Sequence, residues 1–143
     1  MVLITYKEAL LSALAAFLRT FPDMAVVGAF RDEEAALADI PSLGPEIVLA
    51  DLDKKGISEA HVIQKLRSHL ADLNIIAISI QDTDKFREAG IQAGDDVFVS
   101  KSRVIHDLVP AIQREISKLS REAEQLISKH GVDTGANSLY YEW

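Results

Sequence analysis

The feature that most constrains this chain is an alternation. Short runs rich in β-branched residues take turns with longer segments whose apolar residues recur at helical spacing, and the pattern continues to about Ser120. That is the pattern of a parallel sheet with helices on both faces. The spacing predicts strands over residues 2–6, 25–30, 47–51, 75–80 and 97–100. The third, fourth and fifth are mainly apolar from end to end, as central parallel strands should be.

The intervening segments read as helices. Residues 8–20 place Leu10, Leu11, Leu14, Phe17 and Leu18 on one stripe and stop at Phe21-Pro22-Asp23. Asp32 ahead of Glu33-Glu34 is an N-cap followed by first-turn acids, opening a second helix that should end near Pro41. Residues 58–70 form a third. Residues 84–93 form a fourth, expected to be short or mobile because the internal Gly90 costs about 1 kcal/mol relative to alanine. A fifth begins near Arg103 and must accommodate Pro110.

Composition bounds the function. A chain of 143 residues with 48% apolar content can bury one core. Its net charge of −7, from 22 acidic against 15 basic residues, argues against binding a phosphate backbone. No cysteine is present, which removes thiolate metal sites and thiol nucleophiles and suits a reducing compartment. No apolar run is long enough to span a membrane, so the expected location is the cytoplasm. The four histidines, His61, His69, His106 and His130, make no metal pattern and read as surface residues.

In an open parallel sheet, ligands bind beyond the carboxyl ends of the strands where the strand order reverses. Asp51, Ser79 and Lys101 all stand at such ends. A carboxylate can attack a phosphoryl donor, a hydroxyl and a lysine can hold the transferred oxygens, and a divalent cation would neutralise the developing charge. A structural ion pair between Asp51 and Lys101 is the plainer reading of the same residues.

The run Pro45-Glu46-Ile47-Val48-Leu49-Ala50-Asp51-Leu52, with Gly56 shortly after, resembles the phosphoacceptor strand and loop of the two-component response-regulator receiver family. Ser79, Lys101, Ala93-Gly94 and Phe98 fall at matching intervals, and Phe21-Pro22-Asp23 with Val26-Val27-Gly28 is similar to the subgroup that usually carries a helix-turn-helix output domain. The resemblance covers residues 1 to about 118. It implies a doubly wound five-stranded α/β sheet of the flavodoxin-like receiver fold, Asp51 as phosphoacceptor, Ser79 and Lys101 as phosphoryl-binding residues, and Phe98 as switch aromatic. For Phe98 a fixed packing role is the competing reading. The implied contact surface lies on helix four, strand five and helix five.

One departure from the family pattern bears on function. The two acids that hold the metal in receivers correspond here to Thr5 and Tyr6, neither a carboxylate. Magnesium is usually held by one or two carboxylates plus other oxygens, so no cofactor is expected and magnesium binding should be weak or absent. Lys54-Lys55 brings positive charge near Asp51, while Asp53 offers a carboxylate to a rearranged site. The expectation is an atypical stand-alone receiver, not an enzyme, acting through contacts with signalling proteins such as a histidine kinase or regulator. The alternative is a working phosphoacceptor modified on Asp51 by a histidine kinase. A DNA-binding regulator is the third and least favoured reading.

Residues 119–143 form a C-terminal extension the family does not explain. Ile105, Val109, Ile112, Ile116, Leu119, Ala123 and Leu126 are spaced alternately four and three, a heptad stripe longer than one sheet needs. It reads either as an amphipathic helix packed on its own domain or as a homodimer contact. After Gly131 the polar run 132–138 reads as a flexible tail ending in the aromatic cluster Leu139 to Trp143.

Overall fold

A computed structural model of the chain describes residues 1–53 and 59–130; the side chains of Glu59, Ala60 and His130 also lie outside the description. The expectations placed on Lys54, Lys55, Gly56 and the tail from Gly131 therefore lie outside the described residues. In chain order the elements are β1 (Val2–Ile4), α1 (Glu8–Leu18), β2 (Gly28–Phe30), α2 (Glu33–Leu43), β3 (Ile47–Asp51), α3 (Glu59–His69), β4 (Asn74–Ser79), α4 (Asp84–Ala93), β5 (Val97–Ser100), a 3-10 turn at Lys101–Arg103 and α5 (Val104–His130). All four strand pairings are parallel, in the order β2-β1-β3-β4-β5. This is the flavodoxin-like arrangement. Its order reverses between β1 and β3, so the crevice beyond the carboxyl ends of those strands is the place where such sheets bind ligands.

The inner strands β1, β3 and β4 bury both faces, and the parity of their residues sorts the core. Val2, Ile4, Val48, Ala50, Ile75 and Ala77 join Ala36 and Ile40 of α2, Val62, Ile63 and Leu66 of α3 and Ala93 of α4 in one cluster. Their neighbours Leu3, Leu49, Ile76 and Ile78 point to the opposite face and are equally buried.

Several boundaries differ from expectation for physical reasons. β1 stops at Ile4, although the Thr5 N–H still donates to Phe30 O at 3.0 Å, and the side chains of Thr5 and Tyr6 reach Asp51 and Glu33. β2 keeps only three laddered residues, matching the three that β1 offers. α2 does not end at Pro41 but continues to Leu43, where Gly44 closes it in the left-handed region at φ 59° with its N–H on Ile40 O. Within α4, ten residues long and capped by Thr83 accepting from the Phe86 N–H, Gly90 has a tertiary reason. A Cβ there would collide with the Asp95 carboxylate.

Met1–Ala111 forms one compact unit, and α5 passes at Ile112 into a second. Within the first unit, Leu108 and Val109 of α5 are buried while Ile105, expected in the apolar stripe, is 68% exposed. In the second, Ile112 and Glu115 are buried, Ile116 and Leu119 half-buried, and residues 120–129 exposed, Leu126 and Ile127 among them.

Candidate functional site

Parallel pairing aligns the strand ends, so the last residues of β3 and β4 and the first residue after β5 meet at one edge. Asp51 closes β3 and is 1% exposed. Each of its oxygens is engaged. Oδ2 accepts from the Thr5 hydroxyl at 2.7 Å, while Oδ1 accepts from the Asp53 backbone N–H at 2.9 Å and lies 2.9 Å from Lys101 Nζ. The pair expected between Asp51 and Lys101 is thus formed.

A second carboxylate shares the ammonium. Asp53 Oδ2 lies 2.7 Å from Lys101 Nζ and accepts from the Ile80 N–H at 2.9 Å, while Oδ1 accepts from the Ser79 hydroxyl at 2.6 Å. Ser79 is fully buried, and its oxygen accepts in turn from the Gln81 N–H at 3.1 Å. Burial acts to raise the Asp53 carboxyl, but the bonds from Lys101, Ser79 and the Ile80 N–H outweigh it and hold the group below its ordinary range. Burial likewise acts to lower Lys101, and the two carboxylates outweigh it, so the ammonium is raised above its usual value. Both shifts favour the charged forms of Asp53 and Lys101.

Thr5 and Tyr6 follow directly after β1. Thr5, 1% exposed, serves Asp51, whereas the Tyr6 hydroxyl donates to Glu33 Oε2 at 2.8 Å. Burial, and then the bond to Glu33, push the Tyr6 phenol well above its ordinary value. Glu33 opens α2 behind the Asp32 N-cap, whose Oδ1 accepts from the Ala35 N–H at 2.7 Å. Read from sequence as a dipole-complementing acid, Glu33 is instead 3% exposed, with Lys65 Nζ 3.9 Å from its carboxylate. Its only advance signal was its place just after the cap.

Phe98 lies on β5 away from these contacts. Its ring meets Phe86 edge-on at 5.6 Å and has the Arg87 guanidinium 4.5 Å above it. His61, His69 and His106 are exposed, and no group of three metal-ligating side chains occurs among the described residues.

The family model for the response regulator receiver domain matches residues 2–113. Response regulator GacA of Pseudomonas protegens is 32% identical over 111 residues, covering 73% of this chain and 51% of that protein. Transcriptional regulatory protein LiaR of Bacillus subtilis is 28% identical over 144 residues, covering 98% of this chain and 68% of that protein. This chain thus spans about half of the one relative and just over two thirds of the other. Among solved structures, a LuxR-family two-component response regulator from Aurantimonas sp. SI85-9A1 superposes with a TM-score of 0.74 at 21% identity, covering 82% of this chain and 84% of that one. The response regulator domain of Thermotoga maritima CheB gives 0.70 at 16% identity, covering 81% and 94%. With the strand order, the gathered Asp51, Ser79 and Lys101, and a family match over residues 2–113, the chain belongs to the response regulator receiver family of two-component signalling.

Proposed function

We propose that this receiver signals through protein contacts without magnesium-dependent phosphorylation, the acids of its pocket being held by its own side chains. The observation that carries the reading is the Lys101 ammonium, 2.9 Å from Asp51 and 2.7 Å from Asp53. It supplies the positive charge a cation would otherwise bring. Magnesium wants octahedral oxygen ligation from carboxylates and water, and both carboxylates here are already held by Lys101. Where β1 ends stand a hydroxyl given to Asp51 and a phenol given to Glu33. A competing reading, phosphorylation of Asp51 by a histidine kinase, draws on the same gathering of nucleophile, hydroxyl and ammonium. Incubation with phosphoramidate and magnesium, followed by intact mass spectrometry, separates the two. No phosphoryl gain is expected; stoichiometric gain in the wild type, absent in Asp51→Asn, would establish the phosphoacceptor.

In this reading residues 1–118 are the receiver and 119–143 a helical extension. The module is not an enzyme, and its partners are signalling proteins. Nucleic acid is not among its direct partners, since the chain carries a net charge of −7. No described helix is long and apolar enough to cross a membrane, and a cytoplasmic site of action is part of the same proposal. The exposed heptad positions Ala123 and Leu126 continue the stripe of Ile112, Ile116 and Leu119, and a second copy of α5 is the occupant that such spacing fits. Sedimentation equilibrium should show a dimer for the full chain and a monomer after removal of residues 119–143. A monomeric full chain at high micromolar concentration overturns that part.

A further inference from the structure

Neutralising Asp51 requires only Lys101, yet the pocket holds a second acid. Asp53 lies two residues beyond the end of β3, where a carboxylate could turn to solvent. Instead three donors of different origin converge on it: the Ser79 hydroxyl at 2.6 Å, the Ile80 backbone N–H at 2.9 Å and the Lys101 ammonium at 2.7 Å. A hydroxyl, an amide and a cation fixed on neighbouring strand ends make an arrangement that stabilises anionic oxygens, because the donors are already oriented and need no reorganisation. The same ammonium touches Asp51 Oδ1 at 2.9 Å, so the donor set borders the oxygen on which a phosphoryl group would be built.

We propose that the Asp53 carboxylate is a built-in occupant of this oxyanion site, holding Ser79 and Lys101 in the arrangement that an anionic group on Asp51 would otherwise impose. This inference rests on the reading that the wild-type pocket works unmodified. The consequences follow from charge and tethering. An occupant attached to the chain competes at an effective concentration far above that of a free anion. With Asp53 in place the cluster carries two carboxylates and one ammonium and repels further anions. Without it, Asp51 and Lys101 cancel, and replacing Asp51 by asparagine as well leaves the site with a net positive charge facing three free donors. The lowered proton affinity of Asp53 agrees with a carboxylate held as an anion by these same partners.

The test is a titration with inorganic phosphate at neutral pH and constant ionic strength. The backbone amides of Ser79, Ile80 and Gln81 are followed by NMR in the full chain, in Asp53→Ala and in Asp51→Asn/Asp53→Ala. The wild type should show no saturating shift. The double variant should show a saturating shift centred on Ile80, with phosphate held about tenfold or more tighter than in the wild type, as expected when a tethered competitor is removed; the single variant should fall between. Asp53→Asn keeps the side-chain volume with one acceptor oxygen, and carries the test if the alanine variants do not fold. Folded variants whose Ile80 amide ignores phosphate, or a wild type that binds it equally well, overturn the proposal. Phosphoryl uptake by the wild type from phosphoramidate would overturn the preceding reading alone, leaving the phosphate comparison to decide this one.

Discussion

Two places in the same unit bury acids, and they treat them in opposite ways. At the carboxyl ends of the strands, Asp51 and Asp53 share Lys101 and draw on Thr5, Ser79 and the Ile80 N–H. At the turn from α4 into β5, Asp95 is 8% exposed and neither of its oxygens has a hydrogen-bond partner among the described residues. Arg67, whose charge acts on Asp95, is spent on the carbonyls of Gly94, Leu70, Ala71 and Leu73 and on the Asp96 carboxylate. Burial, and then the negative charge of Asp96, push the Asp95 carboxyl up to about 6 against the pull of Arg67. In the pocket an ammonium compensates the buried acids; behind α4 burial outweighs the pull of Arg67, and Asp95 keeps its proton to a higher pH than an ordinary carboxyl.

Breaking the first arrangement should have the largest effect. Lys101→Met removes the ammonium that two carboxylates share, and chemical denaturation should show a loss of roughly 3 kcal/mol, at the low end for a broken buried pair because part of Lys101 faces solvent. The second arrangement shows in the pH profile. Asp95 has a folded value of about 6 against an ordinary 3.8, so the folded state binds more protons between them and stability falls as pH rises through that window. The fall should be roughly 2 to 3 kcal/mol, and Asp95→Asn should flatten it. Asp53 acts with the opposite sign. Its folded value is lowered, so its contribution is present above 3.8 and is lost as pH falls through the folded value below that.

Smaller effects sharpen the contrast. Thr5→Val removes one donor to a buried carboxylate that keeps Lys101, and should cost about 1.5 kcal/mol by denaturant midpoint. Ser79→Ala should cost about 1 kcal/mol, since Asp53 keeps two of its three donors while the Gln81 N–H loses its acceptor.

How much of this was legible from the sequence depends on how local each cause is. β3 could be bounded because central parallel strands are apolar throughout; β5, read in the same way as central, keeps its bounds but lies at the edge of the sheet, with Val97 and Phe98 only half-buried, and Asp51, Ser79 and Lys101 could be grouped because each ends or follows a strand. Residues 25–27 look equally strand-like but are not laddered as β2, since β1 offers only three partners. Gly90 reads as a defect in a helix until Asp95 is seen to occupy the space of its missing side chain. Asp53 and Glu33 lie outside any strand, and no periodicity sets where a loop or first-turn side chain points. Their roles come from Ser79, 26 residues further on, and from Tyr6, 27 residues earlier. Tertiary contact alone decides such positions.

The central claim is that the acids of the pocket are already engaged by the chain's own residues. It is tested most directly by adding beryllofluoride with magnesium to the wild-type chain and following the backbone amides of Asp51, Asp53, Ser79 and Ile80. The account predicts no saturating shift at these positions at millimolar magnesium, because Lys101, Thr5 and Asp53 already engage every group the complex would need. A saturating, magnesium-dependent shift that disappears in Asp51→Asn would contradict it.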